Sequence, residues 1–158
     1  MIFKTGSIHD VIVKAMTKYS DKRGFLMEFF RTDEVDAAVF PAMGYFSSTV
    51  PGVTRGPHEH RDQTDFFCFP GPSTFRVYVW DARKNSPSYA STMKLDVGEN
   101  NPSIVIVPPG VVHAYKNIGS TDGLVINLPN RLYAGKNRKE SVDEIRHEND
   151  PQSPYVID

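Results

Sequence analysis

The stretch TFRVYVWDAR, residues 74–83, sets Phe75, Val77 and Val79 in alternation with Arg76, Tyr78 and Trp80. Period-two alternation sends the two sets to opposite faces of an extended strand, whereas a helix would mix them on every face. The same vocabulary recurs along the chain. SIVIV, residues 103–107, is a β-branched strand stopped by Pro108, Pro109 and Gly110, and GLVIN, residues 123–127, is another that ends before Pro129. YFSSTV, residues 45–50, runs into a turn at Pro51 and Gly52. The twelve prolines and eleven glycines are scattered rather than gathered in a linker, the pattern of many short strands separated by turns.

Two segments are ambiguous. GFLMEFFR, residues 24–31, suits a buried strand or a short helix, and the SDKRG that overlaps its start favours a turn into a strand. VDEIRHEND, residues 142–150, has room for one or two helical turns. The polar tail is expected to lie on the surface, with Tyr155 to Ile157 docked on the body. No repeat of solenoid length is present. The expectation is one all-β domain over residues 1–158, a sandwich or barrel with little helix.

Charge and cysteine content narrow the function classes. A formal charge of -1 gives no electrostatic case for nucleic acid or an anionic membrane as partner. The basic run Lys136-Asn137-Arg138-Lys139 is followed by Glu140 and Asp143 and reads as a solvated loop. The single cysteine, Cys68, forms no intrachain disulfide, which suits a reducing compartment. It lies in an apolar strand and reads as an inert core thiol. The N-terminus lacks a signal-like apolar segment, and no apolar run is long enough to cross a bilayer. A cytoplasmic protein is expected.

Chemistry concentrates in RGPHEHRDQTDFF, residues 55–67. In a strand, His58 and His60 project to one face. Two imidazoles there can hold a metal, move protons or serve as bonded core residues. Pro108-x-Gly110 ahead of His113 can set a second strand beside the first. Arg55 next to Gly56 reads as a ligand-gripping pair, with glycine letting the backbone approach closely. His9 and His147 lie in polar surroundings and are expected at the surface.

The pieces Gly52-x5-His58-Glu59-His60-x4-Asp65-x5-Gly71 and Pro108-Pro109-Gly110-Val111-Val112-His113-Ala114-Tyr115-Lys116-Asn117 resemble the two signature motifs of the cupin family. That resemblance implies a double-stranded β-helix, or jelly-roll, barrel in which His58, His60 and His113 converge. Asp65 stands where the family usually has glutamate and is the possible fourth metal ligand, beside an alternative as a surface turn carboxylate. Such a set suits Fe, Mn, Zn, Ni or Cu.

A narrower resemblance covers most of the chain. SDKRGFLMEFFR, GVTRGPHEH, WDARKNSPSY, VIVPPGVVHAY and RLYAG are similar to the dTDP-4-dehydrorhamnose 3,5-epimerase family of nucleotide-sugar cupins. The resemblance implies a nucleotide-sugar substrate, no required cofactor and a homodimer that exchanges N-terminal strands, here within residues 1–50. It further implies nucleotide contacts from Arg23 and Glu28, a pyrophosphate grip from Arg55 and a base at His58. His113, Tyr115 and Tyr133 would line the site. The chain departs from that pattern in four ways. No lysine stands in Asp65-Phe66-Phe67-Cys68, Asn127 stands where a proton-donating tyrosine is usual, the base's C-terminal aspartate partner is not matched, and His60 replaces glutamine. An RGxHxH strand also resembles the dTDP-sugar 3,4-ketoisomerases.

The leading expectation is therefore a 4-keto-hexose epimerase or isomerase working through His58, with His60 and His113 relaying protons, polarising the carbonyl or sharing a metal. A metal-dependent cupin acting on another small molecule, as isomerase, lyase or dioxygenase, and a non-catalytic sugar-nucleotide binder are the alternatives.

Overall fold

The computed structural model describes residues 1–158, and strands are almost its only regular secondary structure. β1 (Lys4–Thr5), β2 (Ile12–Ala15), β3 (Lys18–Asp21) and β4 (Gly24–Met27) come first. The barrel then runs through β5 (Tyr45–Thr49), β6 (Thr54–Glu59), β7 (Asp65–Gly71), β8 (Thr74–Asp81) and β9 (Ser91–Gly98). It continues as β10 (Ser103–Val107), β11 (Val111–Asn117), β12 (Gly123–Asn127) and β13 (Ile145–Arg146). Two 3-10 turns, Ala37–Val39 and Lys136–Arg138, are the only helical pieces, and no helix is long and apolar enough to cross a membrane.

The strands form a jelly-roll of two sheets. One has the order β1-β9-β8-β11-β6-β13 and the other β2-β10-β7-β12-β5, while β3 and β4 form a separate hairpin. Alternation decides which residues fill the space between the sheets. Phe75, Val77 and Val79 of β8 meet Phe67 and Phe69 of β7, Val105 and Val107 of β10 and Val125 of β12 in one buried cluster.

The outward set is buried as well, which explains why these strands carry few charges. Tyr78 and Trp80 pack with Val112 and Ala114 under Phe3, Tyr155 and Ile157, so the tail docks as expected. On the other sheet, Phe66, Cys68, Ile104 and Ile106 lie under Met27, Phe30 and Val35. Burial pushes the Cys68 thiol up to about 12, so it stays an unreactive thiol at neutral pH.

Two expectations are corrected. Only Gly24–Met27 of the GFLMEFFR segment is strand, and it is not buried: Phe25 and Leu26 are 58% and 60% exposed. Its turn falls at Lys22 and Arg23, as the sequence suggested. VDEIRHEND forms no helical turn. Ile145 and Arg146 instead pair with Glu59 and His58 as the last strand of the larger sheet, satisfying the β6 edge groups that a helix would leave open.

Candidate functional site

The site begins with a fault in strand pairing. Across β6 and β11, His58 lies opposite His113 and Arg55 opposite Tyr115. Three steps on β6 therefore match two on β11, and the extra residue is accommodated at Gly56-Pro57. In a regular strand Arg55 and His58 would face opposite sides; the bulge returns both to the inner face. Gly56 takes φ +85, and a Cβ there would lie 2.6 Å from the His113 carbonyl oxygen. Glycine is required here by the neighbouring strand.

His58, His60 and His113 converge with Asp65 of β7. One ligand atom from each lies within 4.8 Å of the others. Asp65 Oδ2 is 3.0 Å from His60 Nε2 and 3.1 Å from His113 Nε2. Despite those distances, Asp65 Oδ2 and His113 Nε2 have no hydrogen-bond partner of acceptable angle. Asp65 Oδ1 is fully engaged, accepting from Gln63 Nε2 at 2.9 Å and Asn127 Nδ2 at 2.8 Å.

The other ring nitrogens fix the proton inventory. His60 Nδ1 meets the Asp143 carbonyl oxygen, and His113 Nδ1 meets the Val111 carbonyl oxygen at 3.1 Å. Carbonyl oxygens only accept, so both Nδ1 atoms carry the proton. Neutral rings would then aim two Nε2 lone pairs at a carboxylate oxygen. Three acceptors in contact repel unless a cation sits among them. The arrangement fits one shared proton, and it equally fits a divalent transition ion held by His58, His60, His113 and Asp65.

Without a metal, the proton belongs mainly to His60. Burial alone would lower its pKa, but contact with the Asp65 carboxylate outweighs that and raises it to about 9. Burial likewise opposes the Asp65 charge, yet His113 and His60 hold that carboxyl well below its ordinary range. His58 is pushed down to about 2, by burial first and then by the nearby His113 ring. It is neutral at physiological pH and makes no side-chain hydrogen bond. One neutral and one charged imidazole thus stand side by side, their ring centroids 5.6 Å apart.

His58 and His60 line a cleft of about 1020 Å³ together with Arg55, Tyr115 and Tyr133, whereas His113, which the family resemblance put in the lining, and Asp65 do not line it. Arg55 is steadied by Thr49 Oγ1 and the Ser48 carbonyl oxygen, both at 2.9 Å. Arg131 and Arg146 also line the cleft, as do Lys136 and Arg138 of the run expected to be a solvated loop, and Asp62, Glu140, Asp143, Glu144 and Glu148 balance their charge. The cleft does not include Arg23 or Glu28. Arg23 pairs with Asp21 on the projecting hairpin and Glu28 lies near Arg31, so within one chain neither reaches the histidines.

Asp65, for which a surface turn was one reading, is 1% exposed. His147 also differs from expectation. It is largely covered, 3.0 Å from Glu59 Oε1 and against the Tyr155 ring, beside the strand that carries His58. Sequence reasoning missed Gln63, Asn127, Tyr45 and Asp143. The Asp143 carboxylate accepts from the backbone N–H groups of Arg61, Asp62 and Gln63 at 2.8–2.9 Å while its carbonyl meets His60. It positions the histidine loop from 80 residues away, which no local motif signals.

A family model described as dTDP-4-dehydrorhamnose 3,5-epimerase matches residues 5–146. The chain is 37% identical over 128 residues to a probable low-salt glycan biosynthesis epimerase, Agl13, of Haloferax volcanii, covering 80% of this chain and 81% of that one. It is 34% identical over 126 residues to the spore coat polysaccharide biosynthesis protein SpsL of Bacillus subtilis, covering 80% and 82%. The crystal structure of a dTDP sugar isomerase from Desulfovibrio desulfuricans superposes with TM-score 0.82 at 20% identity, over 94% of this chain and 91% of that one.

Proposed function

The chain belongs to the dTDP-4-dehydrorhamnose 3,5-epimerase family, and from that premise we propose that it epimerises or isomerises a nucleotide-linked 4-keto-hexose at carbons next to the carbonyl. The observation that carries this reading is the bulged strand, which brings Arg55 and a neutral, uncapped His58 into the lining of one cleft. A ketone acidifies its neighbouring C–H bonds, so a neutral imidazole at that point is a base for enolisation. Arg55, held by Thr49 and the Ser48 carbonyl and paired with no carboxylate, offers fixed positive charge for a diphosphate.

His60 and His113 play different parts from His58. Both nitrogens of each are committed to a carbonyl or to the Asp65 region, so neither has a free N–H to give the substrate. Burial, and after it the neighbouring His113 ring, keeps His58 deprotonated before reaction, and Asp65 stabilises the imidazolium that His58 becomes. Environments that push neighbouring pKa values apart in this way mark acid and base roles. Incubation with dTDP-4-keto-6-deoxyhexoses should give new sugar resonances by NMR, and loss of the starting stereochemistry at C3 or C5. A product unchanged in every such sugar would refute the reading.

A second reading rests on the orphaned Asp65 Oδ2 and His113 Nε2. A divalent ion there would polarise the substrate carbonyl as a Lewis acid. Protein purified without chelators or affinity metals should then hold stoichiometric Fe, Mn, Ni, Cu or Zn, lost in His60→Ala; fully active metal-free protein excludes it. We also propose a cytoplasmic homodimer built through the β3–β4 hairpin, whose exposed Tyr19, Phe25 and Leu26 lack cover in one chain. Such a partner would bring Arg23 and Glu28 to the neighbouring cleft. Sedimentation at micromolar concentration should give twice the chain mass, and a monomer would remove that part.

A further inference from the structure

Epimerisation needs a second proton source. A planar enolate formed by His58 returns to its starting configuration if His58 reprotonates it, so inversion needs delivery to the opposite face. His60 and His113 have no N–H to offer. The partner must carry a proton, line the cleft and approach from the wall facing β6.

Resting on the proposed enolisation, we infer that Tyr45 is this donor. Tyr45 begins β5, at the edge of the smaller sheet, whereas His58 lies on β6 of the larger one. Both side chains line the same cleft. Tyr45 pairs directly with Asn127 across β5 and β12, and its hydroxyl oxygen accepts from Asn127 Nδ2 at 3.0 Å. The orientation of that amide is set by Asn127 Oδ1, which accepts from the Phe66 backbone N–H at 3.1 Å. The same Nδ2 also donates to Asp65 Oδ1.

A phenol that accepts through its oxygen keeps its own proton for another partner. The Tyr45 hydroxyl makes no other hydrogen bond, so that proton is available to a sugar in the cleft. Burial raises its pKa to about 12, so the group is protonated at neutral pH. The other cleft tyrosines are less suited. Tyr115 is buried among Phe67, Phe69 and Phe75, its hydroxyl 3.4 Å from Ser47 Oγ. Tyr133 is about as exposed as Tyr45, 54% against 46%, but its hydroxyl has no hydrogen bond that ties it to the histidine cluster, whereas that of Tyr45 is tied through Asn127.

The step balances. His58 removes the proton next to the carbonyl and the C–H electrons form the enolate. Tyr45 O–H then donates to the other face of the same carbon, the carbonyl re-forms, and a phenolate and an imidazolium remain. Transfer of the imidazolium proton to the phenolate through cleft water restores the starting state.

The test compares Tyr45→Phe, Tyr133→Phe and wild type with dTDP-4-keto-6-deoxyglucose in D2O. Tyr45→Phe should still place deuterium in recovered starting sugar, because His58 is intact and its proton exchanges with solvent. It should form the epimer at least ~100-fold more slowly, the lower range for loss of a general acid. Tyr133→Phe should lose far less. Near-normal epimer formation by Tyr45→Phe overturns the assignment. So does loss of deuterium uptake along with product, since removing the proton needs no donor. A wild type that labels neither carbon defeats the enolisation reading itself, and the donor with it.

Discussion

Replacing Asp65 with alanine should destabilise the protein by about 3–5 kcal/mol, the usual consequence of removing one partner of a buried ion pair. The carboxylate is 1% exposed and faces His60 and His113, while Gln63 and Asn127 donate to its other oxygen. Its loss leaves two amide donors and a buried imidazolium without a partner. Asp65→Asn isolates the charge, because it keeps the volume and nearly the shape.

The pH dependence distinguishes the electrostatic part from packing. The His60 pKa is raised in the folded state from 6.5 to about 9. Its contribution is therefore complete below the unfolded value and is lost as pH rises through about 9. Asp65 is shifted the other way, so its contribution is present above its unfolded value and is lost only in acid. In metal-free wild type the pair stabilises most between these limits, and the unfolding free energy should fall between pH 6.5 and 9. In Asp65→Asn that fall should flatten, and the gap between variant and wild type should be larger at pH 6 than at pH 9.5. Urea titrations across this range measure it. Parallel curves would mean that His60 is not held as a cation.

The second large effect concerns chemistry with the fold retained. His58→Ala should lower deuterium uptake into a 4-keto sugar by about 10²–10⁴-fold, the range for loss of a positioned general base. Stability should change little by comparison, because the ring makes no hydrogen bond and opens onto the cleft. Binding of dTDP should persist, since Arg55 and its Thr49 and Ser48 supports are untouched. Exchange at the wild-type rate would move the base elsewhere in the cleft.

The barrel was legible because its signals are local. Alternation in residues 74–81 and the prolines after Val107 and Leu128 mark strands and their ends without reference to anything distant. The convergence of His58, His60 and His113 was legible through the two motifs. What local pattern does not carry is register. The bulge at Gly56-Pro57 exists only in pairing with β11, yet it puts Arg55 and His58 on one face.

Long-range partners account for the other differences. A two-residue strand such as Ile145–Arg146 has no period to detect, and only the open edge of β6 gives it a reason to form. Asp65 reads as a turn acid until β7 is seen to run beside β12, which brings in Asn127. Tyr45 reads as the first residue of an ordinary strand until its hydroxyl is placed against that amide. Phe25 and Leu26 of the GFLM strand are exposed in this chain, and they are the surface through which the proposed dimer would form.

The most direct test of the whole account is solvent exchange by the unmodified protein. Wild type incubated in D2O with dTDP-4-keto-6-deoxyglucose, with and without chelator, should place deuterium at C3 or C5 of the sugar, and His58→Ala should not. Uptake that survives chelation supports proton transfer by the side chains alone. Tight binding of the nucleotide sugar with no deuterium at either carbon, in protein with or without added metal, would contradict the central claim and leave a binding protein on an epimerase frame.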